Sequence, residues 1–288
     1  TLTGTDNALN TADYQFTSIE AADLKGNDLT SSTDDIDVTG ENELTSAGID
    51  FTNVAAVNQA GNSNQISTDG ADATLFAELG SAVENAIEAL GIVLRDIVSA
   101  DLGGGTLIGS SEADSFEVTG AELTANGITV TNAASAIDAG AGDDLVTVND
   151  ANSTLTGTDN ALSTSAYQFS SIESADLQSN ALSGSGGADT FDVTGANALT
   201  SADINFTNVT SVDAGNGGDR VNTNGSTLVS QADLAGTVAV DNALTTQQIA
   251  FTAVENLDLA NGTLTGSDAA DSFEVTGTAL TANGIAVT

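Results

Sequence analysis

The stretch "GSSEADSFEVTG" at residues 109–120 recurs twice, as "GSGGADTFDVTG" at 184–195 and as "GSDAADSFEVTG" at 266–277. A shorter copy, "TDDIDVTG", occupies residues 33–40. The copies align on one acidic residue each, and the aligned aspartates are Asp34, Asp114, Asp189 and Asp271. A phrase that returns at a near-constant spacing of about 80 residues indicates a repeat architecture, whereas an enzyme site is normally present once.

A second repeated phrase lies between these copies and shortens the period. "TLTGTDNALNTADYQFTSIEAADL" begins at Thr1, "TLTGTDNALSTSAYQFSSIESADL" at Thr154, and a looser copy at Thr237. Both phrases share one template with "VTGANALTSADINFTNVTSVDAG", which begins at Val193, so the unit is about 40 residues long. We therefore expect one continuous repeat array over residues 1–288. Its long-period units would be approximately 1–69, 70–152, 153–234 and an incomplete 235–288.

Inside each unit, apolar and polar residues alternate with a period of two. Phe116 and Val118 alternate with Ser115, Glu117 and Thr119, which is typical of a half-buried strand. Turn-forming stretches such as "AGAGDD" and "AGNGGD" separate the strands. This pattern predicts an all-β chain that forms a parallel β-solenoid, or β-helix, of about 40-residue repeats with about two rungs per repeat. The nine phenylalanines would mostly point inward. The alternative is a tandem array of β-sandwich domains of about 80 residues, but the likeness of adjacent half-units favours stacking.

Residues 71–102 do not follow the template. Phe76, Val83, Ile87 and Leu94 belong to a series of apolar residues three or four positions apart, which predicts an inserted amphipathic helix at about 73–99. The helix would cover the solenoid core or contact a partner subunit. Two glycines within the stretch weaken the helix prediction by about 1 kcal/mol each relative to alanine.

Composition excludes several classes of function. The chain has 41 acidic and three basic residues, and its net charge of −38 would repel nucleic acids and anionic membranes. The acidic residues indicate either a solvated surface or a surface that binds cations. Membrane insertion is not expected either, because no apolar stretch approaches about 20 residues. The chain contains neither His nor Cys, so Ser–His–Asp and Cys–His catalysis are impossible. We expect a protein that is not an enzyme. A β-helical enzyme acting on polysaccharides through a carboxylate pair is the remaining catalytic alternative.

Two glycine-rich stretches carry the one candidate metal motif. "AGAGDDLV" at 139–146 and "AGNGGDRV" at 214–221 fit most of the pattern G-G-x-G-x-D-x-U. The chain thus resembles the bacterial repeats-in-toxin family and, more broadly, the very long repeat-rich surface and adhesin proteins of bacteria. The resemblance implies Ca²⁺ held by Asp143, Asp144 and Asp219 together with backbone carbonyls. The motif departs from the family because its copies are not in tandem, and the alternative is a glycine-rich corner with a solvated aspartate. The aspartate of the opening phrase is expected to hydrogen-bond its own turn.

Together these features predict a segment of a longer extracellular or cell-surface bacterial protein. The segment would be a rigid acidic rod that serves as a filament subunit, a surface-layer component or an adhesin stalk. The alternative is a calcium-dependent binding module of the repeats-in-toxin type. We expect self-association end to end or side by side, and a surface or glycan ligand would bind through other parts of a longer chain.

Overall fold

The computed structural model describes residues 8–31, 35–59, 65–78, 81–149, 151–232 and 239–288. Within these ranges the chain forms 35 β-strands and no helix. No described segment is therefore a helix that could cross a membrane. The strands are β1 Ala8–Asn10, β2 Gln15–Thr17, β3 Ala21–Ser31, β4 Asp35–Gly40, β5 Glu43–Ser46, β6 Ile49–Gln59, β7 Gln65–Ser67, β8 Ala73–Glu78, β9 Ser81–Ala89, β10 Ile92–Arg95, β11 Ser99–Asp101, β12 Leu107–Ile108, β13 Ser115–Thr119, β14 Glu122–Ala125, β15 Ile128–Thr131, β16 Ala136–Asp138, β17 Leu145–Val148, β18 Ser153–Leu155, β19 Leu162–Ser163, β20 Gln168–Ser170, β21 Ser174–Asp176, β22 Ala181–Ser183, β23 Thr190–Gly195, β24 Ala198–Ser201, β25 Ile204–Thr207, β26 Ser211–Asp213, β27 Arg220–Asn222, β28 Leu228–Ala232, β29 Ala239–Thr246, β30 Ile249–Thr252, β31 Asn256–Asp258, β32 Leu264–Thr265, β33 Phe273–Thr276, β34 Ala279–Ala282 and β35 Ile285–Val287.

The chain folds as two compact units. Unit 1 comprises Thr1–Asp144 with Phe169–Ser171, and unit 2 comprises Leu145–Gln168 with Ile172–Thr288. In unit 1, parallel ladders join strands of successive turns, such as β7 with β11 and β11 with β15. Unit 2 has the same construction, with β23 parallel to β27 and β27 parallel to β31. Each unit is therefore a parallel β-solenoid, as predicted. The β-sandwich alternative is wrong, because the ladders between successive turns are parallel.

One turn of the solenoid is longer than predicted. Ser99 lies beside Thr129 of the next turn in unit 1, and Ser211 lies beside Ala250 of the next turn in unit 2. One repeat unit therefore makes about one turn, not two. The extra length is an antiparallel meander within the turn, such as β13–β14–β15 in unit 1 and β23–β24–β25 in unit 2.

The predicted helix at 73–99 is wrong, because this region contains β8, β9, β10 and the first residue of β11. Leu90 and Gly91 both have positive φ, at 48° and 80°, and they form the two-residue turn that joins β9 to β10. Parallel pairing with neighbouring turns holds the outer strands, with Ala73 beside Leu107 and Val93 beside Ala56. The ladder therefore overrides the helical spacing of the apolar residues.

The core consists of the inward side chains of these strands. Six phenylalanines are among the largest fully buried side chains, and they are Phe51, Phe116, Phe169, Phe191, Phe206 and Phe251. Within unit 1 the rings of Phe116 and Phe169 lie 5.6 Å apart, and within unit 2 those of Phe191 and Phe251 lie 6.1 Å apart. These six residues confirm the prediction that most phenylalanines point inward, and burial of each stabilises the fold by about 1.5–3 kcal/mol.

Candidate functional site

The repeated phrases form corners that stack on one another in successive turns. In unit 1 the "GSSEAD" corner at 109–114 lies against the "AGAGDD" corner at 139–144. A Cβ at Gly109 would come within 1.7 Å of the Ala139 carbonyl oxygen, so only glycine fits here. In unit 2 a Cβ at Gly184 would come within 2.0 Å of the Ala214 carbonyl oxygen. Close backbone approach between turns thus explains Gly109 and Gly184.

The aspartate of the opening phrase holds its own corner. Asp114 Oδ2 accepts a hydrogen bond of 2.6 Å from the Ser110 backbone N–H, and Asp189 Oδ2 accepts one of 2.7 Å from Ser185. These bonds confirm the turn role predicted for this aspartate. In the third copy the Asn283 side chain and the Ser267 hydroxyl donate to Asp271 Oδ1. The bond from Asn283 is the main reason why the pKa of Asp271 lies below its usual range.

The aspartates of the glycine-rich corners bind the backbone of the preceding turn. Asp144 Oδ1 accepts a hydrogen bond of 2.7 Å from the Asp114 N–H, and Asp219 Oδ1 accepts one of 2.8 Å from the Asp189 N–H. Asp144 and Asp219 have no exposed surface, whereas Asp143 is exposed. The expectation of a solvated aspartate is therefore wrong for Asp144 and Asp219, because stacking of adjacent turns covers both side chains.

Unit 2 extends this arrangement by one further acidic residue. Glu255 Oε2 accepts a hydrogen bond of 2.9 Å from the Asp219 N–H, so Asp189, Asp219 and Glu255 form a chain of carboxylate-to-backbone contacts over three turns. Burial raises the pKa of Asp219, and the charges of Glu255 and Asp189 add to this effect. The N–H of Asp189 acts in the opposite direction because it stabilises the ionised form. Asp219 Oδ2 is buried and has no hydrogen-bond partner among the described residues.

The described residues contain no group of three or more Asp, Glu, His or Cys side chains that could hold a metal ion. One oxygen of Asp144 and one of Asp219 already bind backbone N–H groups, and Asp143 points to solvent in a different unit from Asp219. The neighbour of each glycine-rich corner is the opening phrase and not a second calcium motif. The described residues thus do not assemble a complete set of calcium ligands at these corners. Calcium at Asp143, Asp144 and Asp219 stays a prediction.

A second polar series, which sequence reasoning did not identify, runs through the meanders. We call it the asparagine ladder, and its members share positive φ angles between 54° and 58°. The backbone N–H of each asparagine donates a hydrogen bond to a backbone carbonyl in the tight turn of a later meander. Its backbone carbonyl accepts a hydrogen bond from the N–H of an aliphatic residue further along the chain. Its members are Asn42, Asn85, Asn160, Asn197 and Asn242.

Side-chain contacts explain why the ladder uses asparagine. Asn197 Nδ2 donates to the Val209 carbonyl at 2.9 Å, and Asn160 Nδ2 donates to the Ile172 carbonyl at 2.8 Å. Asparagine also tolerates the left-handed backbone better than most residues. The sequence signal is an asparagine two residues before Leu or Ile in each unit, as in "DNAL", "ANAL" and "ENAI". The pattern was visible, but its partners lie in another turn and cannot be identified from spacing alone.

An open polar depression of about 380 Å³ lies beside the Asp189 corner in unit 2. Ser185, Asp189, Ser201 and Ala202 are among its lining residues. In unit 1 the Asn126 side chain donates to Asp114 at the related place, and Ala202 has no amide to do so. The depression thus lies where this copy has alanine in place of that asparagine.

No protein-family model matches the chain, and neither a curated protein nor a solved structure is significantly similar to it. The chemistry of the corners must therefore be judged from their geometry. The repeated carboxylates and amides accept and donate hydrogen bonds to backbone groups of adjacent turns, and this arrangement fixes the stacking of the solenoid.

Proposed function

We propose that the chain is a non-enzymatic structural protein, a rigid acidic repeat rod that serves as a filament subunit, surface-layer component or adhesin stalk outside a bacterial cell. One observation carries this proposal. The polar side chains that the repeat retains, those of the acidic corners and the asparagine ladder, bind the backbone of their own or an adjacent turn. Side chains that could have taken part in catalysis or metal binding therefore hold the turns of the solenoid together.

Stiffness is the property that we expect from this construction. Every parallel ladder ties a turn to its neighbour, and the buried phenylalanines fill the space between the strands. The asparagine ladder and the acidic corners add further hydrogen bonds between turns, each contributing about 0.5–1.5 kcal/mol. A solenoid held in this way is expected to resist bending, because several ladders join each turn to the next.

The surface charge favours an extracellular structural role. A net charge of −38 keeps chains apart at low ionic strength and prevents non-specific binding to nucleic acids. The same charge is screened in saline surroundings, where the Debye length falls to about 8 Å at 0.15 M salt. Self-association and exposure to salt are therefore compatible with this surface.

Electron microscopy of the purified chain, combined with small-angle X-ray scattering, tests the proposal. Stiff particles of constant width are expected, with a length that grows when chains associate. Compact particles, or particles that bend freely between short segments, would contradict a rigid rod. Hydrolysis of a polysaccharide that is lost on substitution of a single carboxylate would instead support the enzyme alternative.

Calcium-dependent binding is the second candidate function, and one observation favours it. Asp219 Oδ2 is buried without a hydrogen-bond partner among the described residues, next to the negative charge of Glu255. A cation would compensate this charge, although the described residues do not gather a complete set of ligands. A comparison of calcium with magnesium separates the two candidates.

A further inference from the structure

The polar depression beside the Asp189 corner lies where other copies of the opening phrase have a side chain. In unit 1, Asn126 Oδ1 accepts a hydrogen bond of 2.9 Å from the Ser115 backbone N–H, and Asn126 Nδ2 donates to Asp114 Oδ1. One primary carboxamide thus joins the first strand of the meander to the corner aspartate. It uses both its acceptor and its donor to do so.

The third copy repeats this arrangement. Asn283 Oδ1 accepts a hydrogen bond of 2.7 Å from the Ser272 backbone N–H, and Asn283 Nδ2 donates one of 2.7 Å to Asp271 Oδ1. Asn126 and Asn283 also share a left-handed backbone, with φ of 44° and 43°. Two copies of the phrase therefore hold a carboxamide in the same place and with the same two partners.

The middle copy keeps the two partners but has no carboxamide between them. Ala202 takes the place of the asparagine, with a similar φ of 48°. Asp189 and Thr190, which correspond to the aspartate and to the residue that donates its N–H, both line the depression. The Ser185 hydroxyl donates to both oxygens of Asp189, at 3.0 Å each. Each carboxylate oxygen accepts more than one hydrogen bond, so Asp189 can still accept another donor.

Two glycines keep this corner open. Gly186 and Gly187 line the depression where unit 1 has Ser111 and Glu112. A Cβ at Gly186 would meet no atom within 4 Å, and one at Gly187 would come no closer than 3.7 Å to its nearest neighbour. Neither glycine has a positive φ. Neither crowding nor backbone conformation therefore requires glycine here, and the consequence of both residues is open space beside Asp189.

We propose that this depression, which we call the amide site, binds the primary carboxamide of an asparagine or glutamine side chain of a protein partner. The carbonyl oxygen of the ligand accepts the Thr190 N–H, and its NH₂ group donates to Asp189 Oδ1. The carboxamides of Asn126 and Asn283 make the same two bonds in their copies. The volume of about 380 Å³ holds the carboxamide and the methylenes that carry it. A carboxylate does not fit, because it has no donor and Asp189 repels it.

Ala202→Asn tests whether the amide site accepts a carboxamide supplied by the chain itself. The new side chain can make both hydrogen bonds, so the variant is expected to melt at a higher temperature than the wild type. Ala260→Asn is the matched control, because Ala260 also has a left-handed φ, of 43°, and lies outside the amide site. Both variants relieve the strain of a left-handed alanine, so only the excess rise at position 202 measures the two hydrogen bonds. Circular dichroism melting measures both.

NMR titration of the ¹⁵N-labelled full chain tests binding from outside. The probes are two capped tripeptides with glutamine or methionine between two alanines, and both end in an N-methylamide so that glutamine carries the only primary carboxamide. Titration to about 50 mM covers the millimolar affinity expected of two hydrogen bonds. The glutamine peptide is expected to shift the Thr190 N–H resonance saturably and the methionine peptide to bind at least about tenfold more weakly. Ala202→Asn should weaken glutamine binding at least about tenfold, whereas Ala260→Asn should bind like the wild type.

Four results would overturn the amide site. Equal rises in melting temperature at positions 202 and 260 would show that the site does not accept a carboxamide. Equal binding of the two peptides, or glutamine binding that survives Ala202→Asn, would place recognition elsewhere. Shifts of Thr190 with N-acetylglucosamine but not with the glutamine peptide would assign the site to a sugar acetamido group. Stiff particles in the electron microscope alongside any of these results would leave the structural function standing, because that function does not depend on the amide site.

Discussion

At the scale of single residues, the asparagine ladder is the most direct contribution of sequence to fold. Asn197 adopts a left-handed backbone with φ of 54°, and its side-chain amide reaches the Val209 carbonyl. We expect Asn197→Ala to destabilise the protein by about 1–3 kcal/mol, since it removes a hydrogen bond and places alanine in a strained conformation. Urea unfolding followed by circular dichroism measures the loss.

Two further variants separate the causes of this loss. Asn197→Gly keeps the backbone free of strain and removes only the side-chain bond, so it should cost less than Asn197→Ala. Asn216→Ala makes the same chemical change at an exposed corner residue with an ordinary backbone, and it should change stability by less than about 0.5 kcal/mol. Equal losses at positions 197 and 216 would contradict the ladder.

Asp219 predicts a specific dependence of stability on pH. Burial raises its pKa in the folded state, so the protonated form is favoured by folding, and this contribution to stability is lost as the pH rises through the folded pKa. Asparagine cannot ionise, and its Oδ1 can accept the Asp189 N–H in the same way. We expect Asp219→Asn to melt at a higher temperature than the wild type at pH 7. The difference should shrink as the pH falls to about 4, near the unfolded pKa of aspartate.

Asp143→Asn is the control for this pH series. It removes the same unit of charge from the related corner, but at an exposed side chain. Any general relief of repulsion among the 41 acidic residues should appear in both variants. A difference between them that stays constant from pH 7 to pH 4 would show that ionisation of Asp219 does not limit stability.

At the scale of secondary structure, one substitution in the β9–β10 hairpin distinguishes the helix that the sequence predicts from the hairpin that the structure shows. The expected change in stability has opposite signs in the two cases. In a helix, Gly91→Ala would stabilise by about 1 kcal/mol, because alanine has the higher helix propensity. In the hairpin, Gly91 has φ of 80°, and a Cβ would come within 2.9 Å of Asn42 Oδ1. We therefore expect Gly91→Ala to destabilise by about 1–3 kcal/mol, measured by urea unfolding. Gly26→Ala measures the effect of backbone strain alone, since Gly26 has φ of 79° and a Cβ added there would meet no other atom within 4 Å. It should cost less than Gly91→Ala.

The same element shows which parts of the fold the sequence can predict. The period-two triplets, such as Phe116 and Val118, predicted strands and an inward core because alternation is a local property of a strand. The helix predicted at 73–99 is wrong because apolar residues three or four apart also fit strands that are interrupted by a tight turn, as at Leu90–Gly91. The decisive contacts of β8 and β10 are with strands of other turns, β12 and β6, and no local pattern contains them.

The contacts of the acidic corners also divide into local ones, which the sequence predicts, and contacts between turns, which it does not. The turn role of Asp114 was predictable, because an aspartate four residues after its bonding partner is a local arrangement. The burial of Asp144 and Asp219 was not predictable, because it depends on the turn that stacks above each corner. The exposed fraction of these aspartates is thus set by their neighbours in adjacent turns.

At the scale of the whole molecule, the dominant property is the net negative charge. The three basic residues are all engaged locally: Lys25 pairs with Asp23, Arg220 pairs with Asp258, and the Arg95 guanidinium lies 4.8 Å from the centre of the Phe76 ring. They leave a net charge of −38, which destabilises the folded state by repulsion and is relieved by any cation that screens it. A rise in melting temperature on adding calcium therefore does not by itself identify a calcium site.

Calcium and magnesium chlorides at equal concentration separate screening from specific binding. Both ions screen charge alike, but calcium accepts irregular sets of oxygen ligands that magnesium, which requires near-octahedral geometry, does not. Because the corner aspartates already bind backbone N–H groups, we expect the two salts to raise the melting temperature equally, and chelation of trace calcium to leave the wild type unchanged at fixed ionic strength. An excess stabilisation by calcium that Asp219→Asn abolishes and Asp143→Asn retains would instead place a calcium ion at the buried Oδ2 of Asp219. It would make the chain a calcium-dependent module, because a ligand that binds only the folded state stabilises that state in proportion to the logarithm of its concentration.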